Sequence, residues 1–224
     1  QLGRSLAAGP YIPTVIASAV IAGAASPVLQ EKYLPALAAG SSIAGIAVDG
    51  DLELRDGLVY GSVAAVVAGG LAGVLVLPLG DDVVILDVAA EGIDVKVPKN
   101  LDPSRRSAQL HVQGGKGHVV GGARQQLIDV ARLLFAAEAV GMARACVEQA
   151  SAYARTRSQF GRVIGTFQAV KHHCANMAIE AELATAAVWD AARAASLGGQ
   201  EFSYAAAIAA PLALPAADHN AQLN

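Results

Sequence analysis

Helices, then strands, then helices: this order predicts an α+β fold, and three observations carry it. Residues 1–45 are alanine-rich and helically patterned, residues 46–120 turn to Val, Gly and Asp with short apolar runs, and two long helical patterns follow from Arg124. The expected organisation is the end of an N-terminal helical domain (1–45), a central β-domain (46–120) and an incomplete C-terminal helical bundle (121–224). With 224 residues, 54% of them hydrophobic, the chain can bury a sizeable core.

Each element has a local reason. Ser26-Pro27 supplies an N-cap and first-turn proline ahead of Val28 to Leu34, and Gly40 closes that helix. Val83 to Leu86 and Ile93 to Val97 read as strands between turn residues. Asp49-Gly50 and Asp56-Gly57 are turn dipeptides, and Gly114-Gly115-Lys116-Gly117 reads as a loop leading to a last strand. Tyr60 to Gly80 has no charged residue and is long enough to span a bilayer. Its five glycines, Pro78 and an acidic exit at Asp81-Asp82 without a basic flank favour β-structure and no membrane. Two long helices fill Arg124 to Leu197, with a break at Gly161 to Thr166. In the second, Phe167, Val170, Cys174, Met177, Ala181, Ala184 and Val188 recur at spacings of three and four, one stripe suited to a bundle. A third helix is expected near Phe202 to Ala210, with Pro211 and Pro215 stopping or kinking it.

Composition excludes several functions. A formal charge of −3 and a pI near 5.9 provide no excess of cations for nucleic acid. Cys146 and Cys174 lack metal-ligand spacing and read as small core residues in a reducing, cytoplasmic setting. Adjacent His172 and His173 point in different directions on a helix, which suits surface or interface positions and no metal site. Trp189 and Tyr153 read as packing residues. Lys116 is followed by neither Ser nor Thr and opens no helix, so its glycine run is no phosphate loop. Gln1-Leu2-Gly3-Arg4 shows neither Met nor a signal pattern, and both ends of the chain read as cut.

Arg157-Ser158-Gln159-Phe160-Gly161, followed after five residues by Phe167-Gln168-Ala169-Val170-Lys171, resembles the signature joining two C-terminal helices of acyl-CoA dehydrogenases. The likeness extends back through Ala136 to Gly141 and forward through Met177 to Glu180, and Gln30 to Gly40 is similar to that family's approach to its β-domain. The resemblance implies an acyl-CoA dehydrogenase-like fold and FAD-dependent α,β-desaturation of an acyl-CoA. It also implies that Arg157 reaches the pyrophosphate of a neighbouring subunit's FAD, a role that suits a permanently charged, bidentate guanidinium. Gln159, Ile164, Phe167 and Gln168 would line that shared cofactor, with Phe160 packing beneath.

Departures from the family pattern are equally informative. The family's Thr-Glu-Pro and Gly-Ser-Asp stretch is missing where Ile46-Ala47-Val48 runs into Asp49-Gly50-Asp51. Its aromatic and hydroxyl pair beside the flavin is replaced within Ala65-Val66-Val67-Ala68. Without these groups the polar edge of a flavin ring would go unpaired, so the chain is expected to hold none of its own. The family's catalytic carboxylate would fall at Ala131 or beyond Asn224, and Glu138 is ordinary helix composition, so no catalytic residue is expected here. Arg105-Arg106 could meet CoA phosphates, although pairing with nearby acids is preferred.

Loss of the chain's own flavin contacts with retention of the trans signature resembles the degenerate partner in heteromeric acyl-CoA dehydrogenases of actinobacterial steroid side-chain breakdown. Two alternatives remain at this point: an ordinary homotetrameric enzyme whose flavin loop is missing from the sequence, and a purely structural interaction subunit.

Overall fold

A computed structural model describes all residues 1–224, and the chain divides into two compact units. One comprises Ala8–Ala131, the other Gln1–Ala7 with Arg132–Asn224.

The first unit starts with α1 (Tyr11–Ala24) and α2 (Pro27–Ala38). The initial residues are not helical, because Gly9 takes a φ of 118° and Pro10 withholds a backbone donor. Pro27 opens α2, and Gly40, at a φ of 70°, follows its end. Eight strands follow: β1 (Ala44–Ile46), β2 (Asp51–Arg55), β3 (Leu58–Val66), β4 (Val74–Leu79), β5 (Asp82–Asp87), β6 (Ile93–Lys96), β7 (Ala108–Gly115) and β8 (Gly117–Val120). They form two four-stranded sheets, in the orders β1-β4-β5-β8 and β2-β3-β7-β6. Only β1 and β4 are parallel.

The core of this unit draws on both sheets, with Leu52, Val59, Val63, Leu110 and Val112 from one meeting Leu75, Leu77, Val84 and Leu86 from the other. The uncharged run is therefore β3 and β4, and β4 is buried at every position, which is why it shows no alternation. No helix is long and apolar enough to cross a membrane. Asp56 and Gly57 both have positive φ and close the β2–β3 hairpin.

The Gly114 to Gly117 stretch departs from the expected loop. Gly115 pairs with Val59 in one sheet while Gly117 pairs with Leu86 in the other, so the chain changes sheets across Lys116. A side chain on Gly117 would sit 2.6 Å from both Leu86 and Val84, so the glycine serves close packing where the strand changes sheets.

A polar cluster ties α2 to this sandwich. Lys32 Nζ donates to Asp87 Oδ2 at 3.0 Å and lies 3.3 Å from His118 Nε2, and the buried Tyr33 hydroxyl donates to the same Asp87 oxygen at 3.3 Å. The Tyr33 hydroxyl and then Asp87 push the Lys32 pKa up, and burial pushes Tyr33 up. Elsewhere Arg105 Nε lies 3.4 Å from Asp102, which bears out the preferred acid pairing, and Ser104 holds Asp102 below its usual range.

The second unit contains three long helices. Helix α3 (Arg124–Thr156) continues into it from the first unit, followed by α4 (Gln168–Ala194) and α5 (Gly199–Leu223). The expected stripe on α4 is observed: Met177, Ala181, Ala184 and Val188 are buried, and Phe167, Val170 and Cys174 are half-buried. Helix α5 corrects the expected stop, because it runs unbroken through Pro211 and Pro215. Both prolines are exposed, so the carbonyls they leave unbonded, at Ala207 and Pro211, lie on the solvent side. The opposite face, Phe202, Ala205, Ala206, Ala209, Ala213 and Ala216, is buried and keeps the helix together. Asn220, fully buried, donates from Nδ2 to the carbonyls of Met177 (3.1 Å) and Ala143 (3.4 Å), joining α5 to α4 and α3.

Three further expectations are corrected. Trp189 is 73% exposed and Tyr153 58% exposed, so neither packs inside the chain. Cys146 and Cys174 are free but only half-buried, and burial still pushes the Cys146 thiol up.

Candidate functional site

The break between α3 and α4 is wider than its glycines suggest and has a structure of its own. Helix α3 ends at Thr156, and β9 (Ser158–Gln159) pairs with β10 (Arg162–Val163) in a two-residue hairpin. Phe160 (φ 54°) and Gly161 (φ 76°) form its tip, and two consecutive positive φ values mark a type I′ turn. A single 3₁₀ turn, Ile164–Thr166, then leads into α4.

Backbone hydrogen bonds hold the segment in place. Ile164 N donates to Arg157 O at 2.8 Å, Phe167 N to Ile164 O at 3.0 Å, and Thr166 Oγ1 to Val163 O at 2.6 Å. The carbonyl of Ala154 lies 2.7 Å from where a side chain on Gly165 would start, so the turn is pressed onto the last coil of α3. All six residues expected at the shared cofactor, Arg157, Gln159, Phe160, Ile164, Phe167 and Gln168, fall on this turn and the first residue of α4. Arg157, Gln159, Phe160 and Gln168 are exposed, whereas Ile164 and Phe167 are half-buried and anchor it.

The aromatic groups are ordered among themselves. Phe160 and Phe167 meet edge to face, with centroids 6.1 Å apart and planes at 89°. Phe160 is nevertheless 91% exposed, an unusual placement for an aromatic ring in the left-handed region. Arg162 adds a contact that motif spacing did not single out: its guanidinium carbon lies 4.0 Å from the centre of the Phe167 ring.

Electrostatics point to an anion. Residues 155–173 contain Arg155, Arg157, Arg162, Lys171, His172 and His173 and not one Asp or Glu, in a chain whose formal charge is −3. Arg157 and Arg162 form no ion pair within the chain, whereas Arg4, Arg55, Arg144 and Arg193 each do. A ridge of unpaired guanidinium groups with exposed amide side chains suits the phosphates of a nucleotide.

The catalytic side is different. Ala131 is 2% exposed and offers no carboxylate. Glu138 is half-buried on α3, and Gly3 lies so close to its backbone that a side chain on that glycine would start 2.0 Å from the Glu138 carbonyl oxygen. In the β-unit, only Ala47 to Gly50 join β1 to β2, and Val67 is held by backbone hydrogen bonds to Ile46 in both directions (2.8 and 3.1 Å). Ala65 and Val67 therefore present only methyl groups, which cannot bond the polar edge of a flavin ring.

Residues 122–222 match the family described as acyl-CoA dehydrogenase, C-terminal domain. The chain is 36% identical to the acyl-CoA dehydrogenase FadE34 of Mycobacterium tuberculosis over 225 aligned residues, covering 99% of this chain and 31% of that protein. It thus spans about a third of that relative's length. Among solved structures, the Tcur3481-Tcur3483 steroid ACAD superposes with a TM-score of 0.88 at 25% identity, covering 99% of this chain and 67% of the other. The ChsE4-ChsE5 complex from Mycobacterium tuberculosis superposes with a TM-score of 0.89 at 23% identity, covering 99% and 65%.

Proposed function

Because the chain resembles acyl-CoA dehydrogenases over nearly all its length, and residues 122–222 match that family's C-terminal domain, we propose that it is a subunit of an FAD-dependent enzyme that desaturates an acyl-CoA. Its part is to complete the cofactor site of a homologous partner subunit. The observation that carries this reading is the α3–α4 turn, where Arg157 and Gln159 are exposed, unpaired with any acid and set in a basic segment.

FAD, when bound, supplies the oxidant that accepts the two electrons of desaturation. The residues of this chain hold and orient it. Arg157 would grip a pyrophosphate with parallel N–H donors, Gln159 and Gln168 would bond polar atoms, and Ile164, Phe167 and Phe160 would cover apolar surface. The all-methyl positions at Ala65 and Val67, with the short Ala47 to Gly50 link, support a chain that holds no flavin by itself and works in a hetero-oligomer. Similarity to a steroid ACAD supports a bulky, steroid-type acyl group on the CoA thioester. Free Cys146 and Cys174 support a cytoplasmic setting. Flavin content of the chain alone and with its partner tests the reading.

The α-proton, on this account, is removed by a carboxylate of the partner. Glu138→Gln is expected to lower stability by about 0.5–2 kcal/mol, the ordinary range for a half-buried polar change, and to leave turnover of the assembled complex unchanged. Loss of turnover with flavin content and assembly intact would instead make Glu138 the base.

A further inference from the structure

Arg162 belongs to no expected contact set, yet its placement is as specific as that of Arg157. We propose that Arg162 is a second anion-binding residue of the α3–α4 turn, meeting the phosphates of the same dinucleotide that Arg157 grips. The proposal rests on the function proposed above, since it names a further residue at that cofactor site.

The hairpin register is the first ground. Arg162 pairs directly with Gln159, and directly paired residues of an antiparallel ladder project to the same face. Arg162 therefore shares the face of Gln159. The second ground is its hold on Phe167. With the guanidinium carbon 4.0 Å from the ring centre, the cation rests over the ring. No hydrogen bond or ion pair within the chain takes up its N–H groups, the ones that bond phosphate oxygens.

Preorganisation follows from this contact. A free arginine loses rotamer freedom on being fixed, and a side chain already resting on a ring loses less. Phe167 is itself steadied by its edge-to-face contact with Phe160, and its backbone N–H is bonded to Ile164. Charge is the third ground. No carboxylate between residues 155 and 173 competes for either arginine. A pyrophosphate carries charge on two phosphorus centres, which one guanidinium cannot neutralise.

The test uses the chain assembled with its homologous partner and loaded with FAD, with affinity read from flavin fluorescence across a salt series. Arg162→Gln should raise the FAD Kd about tenfold, within the range for a lost hydrogen bond to a charged group. Arg162→Lys, which keeps the charge but not the planar fork, should fall between Arg162→Gln and the unmodified chain. The difference should shrink as salt rises from about 0.05 to about 0.5 M, because exposed charges are screened. Thermal melting of the variants should match that of the unmodified complex. An unchanged Kd in Arg162→Gln, with a raised Kd in Arg157→Gln, would overturn the role of Arg162 and leave the proposed function standing. Unchanged values in both would overturn the two together. A raised Kd that Arg162→Lys does not recover, and that salt does not reduce, would make Arg162 a support for Phe167 and overturn phosphate binding.

Discussion

Arg157→Lys is expected to loosen FAD in the assembled complex by about 1–3 kcal/mol, the range for losing a hydrogen bond to a charged group. The reason is geometric. A guanidinium offers two parallel N–H donors in one plane and matches two phosphate oxygens at once, whereas an ammonium is a point charge that keeps the attraction and loses the fork. Position adds to this, because Ile164 N bonds to the Arg157 carbonyl at 2.8 Å and fixes the backbone from which the side chain departs. The exposed guanidinium has no acid to turn to within the chain and makes no side-chain hydrogen bond there. Flavin retention on dilution measures the effect. Retention equal to that of the unmodified complex would make Arg157 a solvated surface residue.

Gly61→Ala is expected to destabilise the β-unit by about 3–5 kcal/mol, from backbone strain and overpacking together. Gly61 lies inside β3, paired with Leu52 on one side and Val112 on the other. Its φ is 125°, a region that residues with a side chain rarely adopt, and an added Cβ would start 1.9 Å from the Asp51 carbonyl oxygen. That oxygen belongs to backbone, so no rotamer change relieves the clash and β2 must part from β3. Gly57→Ala provides the contrast: its φ of 78° carries strain, but nothing lies within 4 Å of the new atom. Its cost should stay near about 1 kcal/mol. Thermal melts of the two variants check this, and equal midpoints would contradict it.

Much of the fold was legible because period and punctuation are local. The stripe from Phe167 to Val188, Pro27 at the start of α2 and Asp56-Gly57 at a hairpin follow from side-chain spacing and backbone sterics alone. The misreadings share another cause. Pro211 and Pro215 forbid two hydrogen bonds locally, yet the buried alanine face of α5 outweighs them, a tertiary effect absent from propensity. Gly114 to Gly117 combines turn-like composition with strand pairing in two sheets. Trp189 and Tyr153 read as packing residues because large aromatics are highly buried on average, and only the folded chain places them outside. At the site, the signature fixed which residues to watch, while the Arg162 contact with Phe167 depends on hairpin register and was beyond spacing arguments.

The most direct test of the account is flavin absorbance per chain, measured for this polypeptide alone and then with its homologous partner. The account predicts a colourless or poorly soluble protein alone and, on assembly, a yellow complex with fewer flavins than subunits. A yellow homo-oligomer carrying one FAD per chain would contradict it.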